Sequence, residues 1–196
     1  MNDRTRGSAR GAIFFDRDGV LNVDSGFVHR VEDFQWVDGA REAVRMVNQA
    51  GLYAIVVTNQ SGIARGFFGE EDVRELHDWM ARDLATIDAR IDAFYYCPYL
   101  EDAKVASYRV ADHPDRKPNP GMILKGLRDF GVEPGRATLI GDKETDLVAA
   151  RRAGIGARLF KGGSLAATVM DVLSKIRRAP SLLAGEGGRR SRPDEG

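Results

Sequence analysis

Two aspartates set two residues apart, Asp16 and Asp18, close the apolar run Ile13-Phe14-Phe15 and lead into Gly19. Close carboxylates repel one another, and burial raises that cost. A structural strand has no use for such a pair, whereas a bound cation removes the conflict. Three more stretches supply matching chemistry: Thr58-Asn59-Gln60-Ser61-Gly62, the basic pair Arg116-Lys117, and Gly141-Asp142-Lys143-Glu144-Thr145-Asp146. Carboxylates, small polar donors and a lysine in this order suit phosphoryl transfer. Asp16 would attack phosphorus and form an aspartyl-phosphate. Asp18 would protonate the leaving oxygen and then deprotonate the attacking water. Mg²⁺ takes oxygen ligands and is held by one or two carboxylates plus waters and phosphate; Asp16, Asp18 through its carbonyl, and Asp142 would serve. Thr58, Asn59 and nearby backbone N–H groups would hold the phosphoryl oxygens, and Lys117 would neutralise developing charge.

Taken singly, each piece has a plainer reading. Asp-x-Asp is commonly a solvated turn, Thr58-Asn59 a helix cap, Gly141-Asp142 a strand exit and Lys117 a surface charge. Their joint placement favours chemistry. Ala12–Phe15 and Leu52–Val57 read as strands, the second as continuous as a parallel strand buried on both faces. Ala93–Tyr96, Thr138–Ile140 and Ala157–Phe160 read as further strands. Helices are expected over Ala40–Gln49, Glu70–Ile87, Met122–Phe130, Thr145–Ala153 and Leu165–Ile176, the first ended by Gly51 and the fourth by Gly154. Strand–helix alternation predicts an α/β fold: a single Rossmann-like domain with a mostly parallel sheet and helices on both faces. Ligands in such folds sit at the carboxyl ends of the strands. Asp16, Thr58 and Asp142 all fall there.

The chain has 196 residues, 29 Lys plus Arg and 29 Asp plus Glu, for a formal net charge of zero. Its length suits one well-buried domain, expected over 12–178. The balanced charge offers nothing to nucleic acid, and no stretch has the length of a membrane span. The single Cys97 excludes an internal disulfide and fits a reducing, cytoplasmic setting. The polar N-terminus, 1–11, is expected to be flexible and the apolar-poor tail, 179–196, disordered. A monomer is expected.

Longer stretches carry a resemblance. The four motifs are those of the haloacid dehalogenase (HAD) superfamily of phosphatases. "DRDGVLNVDSGFVHRVEDFQWVDG", "VVTNQSGIARGFF", "YYCPY", "RKPNPGM" and "GDKETDLVAARRAG" closely resemble the D-glycero-D-manno-heptose-1,7-bisphosphate 7-phosphatase family, which acts on the route to the activated heptose of lipopolysaccharide core. Histidinol-phosphate phosphatases share that branch. The resemblance spans about Ala12 to Ile176 and implies Asp16 as nucleophile, Asp18 as acid/base, and Asp16, Asp18 and Asp142 as magnesium ligands. It implies substrate contacts at Asp24, Ser25, Gly26 and Phe27, at Thr58, Asn59, Gln60 and Ser61, and at Arg116, Lys117 and Lys143. Asp146 is expected to orient its loop by hydrogen bonds. Phe27 replaces a tyrosine usual in the family, and Ser25 stands where a histidine is common, which leaves room for a somewhat different sugar.

Family members often hold a structural zinc before the motif lysine. Here the corresponding residues are Cys97, Tyr99, His113 and Asp115, a poor set for a tetrahedral N/S site, so a zinc-free loop is expected. His77 is assigned to a surface or edge of its helix, His29 to bracing its loop, and Trp36 and Trp79 to packing. No interval is long enough for a separate cap domain. The entrance is expected to be walled by three loops, near Asp24–Gly39, Arg65–Gly69 and Pro98–Pro120. Arg116 is suited to a second anionic group, bidentately if that group is a phosphate. A heptose-bisphosphate phosphatase is the leading expectation. The same chemistry on histidinol phosphate or another small phosphorylated metabolite is the alternative, and a non-catalytic binding protein on this fold a third.

Overall fold

A computed structural model describes residues 10–178. Five parallel strands run in the order β3-β2-β1-β4-β5: β1 Ala12–Phe15, β2 Tyr53–Asn59, β3 Ala93–Cys97, β4 Ala137–Gly141 and β5 Gly156–Leu159. The helices are α1 Ala40–Gln49, α2 Ser61–Ala64, α3 Glu70–Ala85, α4 Gly121–Asp129, α5 Glu144–Ala153 and α6 Leu165–Arg178. The expected fold class holds, with element boundaries moved by at most two residues. The short α2 went unanticipated, because four residues carry no legible periodicity.

The sheet separates two cores. In β1, Ile13 and Phe15 pack with residues of α1, α3 and α6, while Ala12 and Phe14 pack with α4 and α5. Alternate side chains of one strand thus enter opposite apolar layers, which is why the strand is apolar at every position. Trp36 and Trp79 lie against the first core, as expected, and the Trp36 indole donates to Asp83 at 2.8 Å. With β1 central and the chain leaving it on both sides, the crevice at its carboxyl end is the topological switch point.

Arg10 and Gly11, assigned above to the flexible N-terminus, are tied down instead. Arg10 donates to the carbonyls of Gly51 and Leu52 and lies over the Tyr53 ring, and Tyr53 donates to the Gly11 carbonyl. The remainder of that segment and the tail lie outside the described residues. No helix among those described is long and apolar enough to cross a membrane.

The loops that shape the entrance are anchored at their bases. The Asp24–Gly39 loop is closed by Val23 N–H to Gln35 and Val37 N–H to Leu21. Pro98–Pro120 is held by more than its prolines. Tyr108 and Tyr96 both donate to Glu70 at the start of α3, at 2.8 and 2.6 Å, and Lys104 and Val105 donate to the Ala64 carbonyl.

Candidate active site

The carboxyl end of β1 delivers Asp16 into a cavity of about 400 Å³. The backbone then turns sharply, and the N–H groups of Val20, Leu21 and Asn22 converge on the Arg17 carbonyl. Gly19 permits that turn with φ +85, and a Cβ there would lie 2.4 Å from an Asp142 oxygen. Only glycine lets the β1 turn approach Asp142 this closely.

Lys117 is 4% exposed, and its Nζ lies 2.9 Å from Asp16 Oδ1 and 2.7 Å from Asp146 Oδ1. Burial works against the ammonium, but Asp16 and Asp146 more than offset it and leave its pKa raised. Asn59 fixes the lysine backbone: its Oδ1 accepts the Lys117 N–H and its Nδ2 donates to the Lys117 carbonyl, both at 3.0 Å. The Asn59 amide is thus spent on placing Lys117. Asp146 accepts the Lys143 N–H at 3.0 Å, which closes the first turn of α5.

Oxygens of Asp16, Asp142 and Asp146 lie within 4.8 Å of one another. Burial pushes the Asp16 carboxyl up to about 6 against the pull of Lys117, and burial likewise raises Asp142 despite Lys143. Asp142 Oδ1 is buried with no hydrogen-bond partner. Hard oxygen donors, crowded like charge and an orphaned carboxylate oxygen fit a magnesium-sized cation. Both oxygens of Asp146 are taken, Oδ1 by Lys117 Nζ and Oδ2 by the Lys143 N–H, whereas the Lys117 and Arg17 contacts of Asp16 fall on Oδ1 alone and Asp142 Oδ1 has no partner, so Asp16 and Asp142 are the carboxylates with an oxygen left for such an ion. The Asp18 carboxylate is not part of this group. It accepts instead from Arg17, Asn22 and Gln60, which leaves its carbonyl for a ligand role.

The predicted contact residues mostly converge. Asp24, Gly26 and Phe27 line the cavity, as do Thr58, Asn59, Gln60 and Ser61. Arg116 and Lys143 also face it. Ser25 does not line it. The Gln60 amide donates to both Asp18 Oδ2 and Thr58 Oγ1 at 2.9 Å. Lys143 Nζ reaches Asp24 at 3.3 Å, bridging two sides of the entrance. Arg116 spends one N–H on the Tyr99 carbonyl at 3.1 Å. Phe27 adopts φ 53, a left-handed conformation rare for aromatic residues, and is 46% exposed. The Arg65–Gly69 loop contributes no lining residue; it supports the first loop. Phe67 packs edge-on against Phe27 at 4.9 Å, and Phe68 stacks on His29 at 4.5 Å. His29 also contacts the Phe27 carbonyl at 2.8 Å.

At the family's zinc-loop positions, Tyr99 stacks flat on His113 at 4.0 Å and Asp115 pairs with Lys125. Cys97 Sγ lies 3.9 Å from His113 Nδ1, which also accepts the Asp115 N–H.

Two buried polar residues behind the cavity escaped the sequence reading. His77 is buried, not at a surface, and stacks on Phe94 at 4.4 Å. The signal was its spacing: Val73, Leu76, His77, Met80 and Leu84 form one buried stripe of α3. Arg17, between the two aspartates, is fully buried, and nothing in a lone arginine revealed that. Burial, with Arg17 alongside, drives the His77 imidazole down to about 3 from the ordinary 6.5. Between those values the unfolded chain binds a proton that the folded chain refuses. His77 therefore contributes stability above pH 6.5 that is lost as pH falls through this window. Denaturant melts of His77→Gln from pH 7 to 4 should show a smaller acid loss than wild type; parallel curves would refute the assignment.

The carboxy-terminal part, residues 115–183, matches the HAD-hydrolase-like family model. The chain is 44% identical to a D-glycero-β-D-manno-heptose-1,7-bisphosphate 7-phosphatase of Rhodopseudomonas palustris, covering 87% of this chain and 94% of that one. It is 41% identical to the corresponding α-anomer enzyme of Burkholderia mallei, over 94% and 97% of the two chains. Among solved structures it superimposes with TM-score 0.73 and 31% identity on the D,D-heptose 1,7-bisphosphate phosphatase of B. bronchiseptica, crystallised with magnesium and phosphate. That match covers 84% of this chain and 99% of the other. Likeness of this extent, joined to an aspartate pair, a buried lysine and a third carboxylate at one sheet edge, means that the chain belongs to the heptose-1,7-bisphosphate 7-phosphatase family of HAD-like hydrolases.

Proposed function

We propose that the chain is a magnesium-dependent phosphatase that removes the C7 phosphate of D-glycero-D-manno-heptose 1,7-bisphosphate in the cytoplasm, toward the activated heptose of lipopolysaccharide core. The observation that carries this reading is Asp16 at the end of β1, facing Lys117 and Asp142, with Arg116 on the same cavity. Asp16 attacks phosphorus, the bond to the C7 oxygen breaks, and Asp18 gives that oxygen its proton. Asp18 then takes a proton from water, which attacks the aspartyl-phosphate and releases inorganic phosphate and free Asp16. Lys117 stays beside Asp16 throughout and offsets charge on the transferring group. Asp16, Asp142 and the Asp18 carbonyl would hold Mg²⁺, which when bound neutralises the clustered carboxylates and the phosphoryl oxygens.

Arg116 is the residue proposed to hold the anomeric phosphate. Phosphate release by the purified protein with Mg²⁺ should be far better on the 1,7-bisphosphate than on the 7-monophosphate. Arg116→Ala should lower kcat/KM for the bisphosphate by about 1.5–3 kcal/mol, the worth of a charge-assisted hydrogen bond, and scarcely affect p-nitrophenyl phosphate. Equal losses on both would assign Arg116 to the transferring phosphate. Preference for histidinol phosphate would displace the heptose reading.

The loop at Cys97, Tyr99, His113 and Asp115 is proposed to work without zinc, because Tyr99 and Asp115 are already committed to stacking and to Lys125. Elemental analysis should find no stoichiometric zinc, and a zinc chelator should leave Tm unchanged. One tightly held zinc per chain would overturn this.

A further inference from the structure

Arg17 is a buried cation that the phosphoryl-transfer scheme leaves without a task. Its Nη2 donates to both oxygens of Asp18, at 3.1 and 3.0 Å, and to the Val28 carbonyl at 2.6 Å. Its Nη1 lies 3.4 Å from His77 Nε2, across a sequence separation of 60 residues. A guanidinium has only donors, so the imidazole nitrogen facing it must accept, which places the ring proton on Nδ1. Stacking on Phe94 and an edge contact with Tyr96 hold the ring in place. A buried cation is expensive, and an apolar side chain commonly serves stability as well. This one is aimed at the carboxylate that carries the proton.

We propose that His77 and Arg17 form a buried positioning pair for Asp18. His77 holds one arm of the guanidinium, and the other arm then fixes the Asp18 carboxylate and the Val28 carbonyl together. Asn22 donates to Asp18 Oδ1 at 3.0 Å and Gln60 to Oδ2 at 2.9 Å. Each carboxylate oxygen thus accepts two donors, and its orientation is set from both sides. Val28 follows directly on the Asp24–Phe27 segment of the entrance loop, so one cation sets both the proton carrier and the loop that meets substrate. The pair rests on the reading of Asp18 as acid/base; neither His77 nor Arg17 touches the reacting atoms.

A loosened Asp18 should harm the reaction in proportion to how much the leaving oxygen needs a proton. The test is kcat/KM, set by the steps up to expulsion of the leaving group and not by the later attack of water, across a series of substituted phenyl phosphates of rising leaving-group pKa, together with the sugar bisphosphate. In His77→Leu and Arg17→Lys, kcat/KM should fall about tenfold or more for poor leaving groups, a part of what positioned proton transfer contributes. It should hardly change for p-nitrophenyl phosphate. His77→Gln, whose side-chain oxygen can still accept from Arg17, should restore most of the loss. Asp18→Asn serves as the reference and should steepen the leaving-group dependence most. If Asp18→Asn is steep but the His77 and Arg17 variants lose equally on every ester, the pair is structural and the proposal is overturned. An unsteepened Asp18→Asn would remove the acid/base reading itself, and the pair's role with it. Should His77→Leu fail to fold, Arg17→Lys carries the comparison, and a loss equal on every ester would refute the proposal.

Discussion

Asp16→Asn is expected to abolish turnover, by a factor on the order of 10⁴ or more, in a chain that stays folded. An amide cannot attack phosphorus, and no other carboxylate sits at the end of β1 beside Lys117. The substitution keeps what the fold uses: the amide oxygen can still accept from the Arg17 N–H, now at 2.7 Å, and from Lys117 Nζ, now at 2.9 Å. It also removes a strain. The Asp16 carboxyl titrates near 6 in the folded chain, raised by burial from 3.8. Between those values the folded state holds the proton more tightly than the unfolded one. Stability from this group therefore falls as pH rises through that window. Without magnesium, the wild type should lose stability relative to Asp16→Asn from pH 4 to pH 6, and added magnesium should recover it. Phosphate release, mass spectrometry for deamidation and thermal melts check all three points. Substantial activity in a folded, undeamidated variant would remove Asp16 from the nucleophile's role.

Lys117→Met should damage fold and chemistry together. Removing the ammonium leaves Asp16 and Asp146 buried, close and of like charge. Breaking a buried pair in this way costs about 3–5 kcal/mol, and loss of a preorganised charge at the phosphoryl group lowers kcat by roughly 10²-fold or more. The two losses separate in the double variant. Asp16→Asn/Lys117→Met should be more stable than Lys117→Met alone, because the unpaired charge at position 16 is gone. Its activity should remain nil. Additive stability losses would mean that Lys117 contributes by packing its stem and not by pairing.

The placement of the site residues was legible before any coordinate because a parallel sheet points all its carboxyl ends the same way. Once β1, β2 and β4 are read from their apolar runs, Asp16, Thr58 and Asp142 must share an edge. Gly19 was visible as a turn, but only the packed structure shows that Asp142 occupies the space its missing side chain would fill. Arg116 and Lys117 lie in a loop with no periodicity, so order along the chain suggested them and only the fold brings them to the cavity.

What sequence could not decide is which polar groups serve substrate and which hold one another. Asn59 reads as a phosphate ligand and Gln60 as a substrate contact; both line the cavity, and their amides engage the Lys117 backbone and the Asp18 carboxylate. Hydrogen bonds of this kind join residues dozens of positions apart. They depend on how the carboxyl ends of β1 and β2 meet each other and the Pro98–Pro120 loop, and no local propensity encodes that. Arg17 and His77 show the same division. Composition marks both as surface residues by habit, and the stripe of α3 hinted only that His77 faced inward. That a buried arginine awaited it, turned onto Asp18, follows from the placement of α3 over β1, a matter of tertiary packing alone.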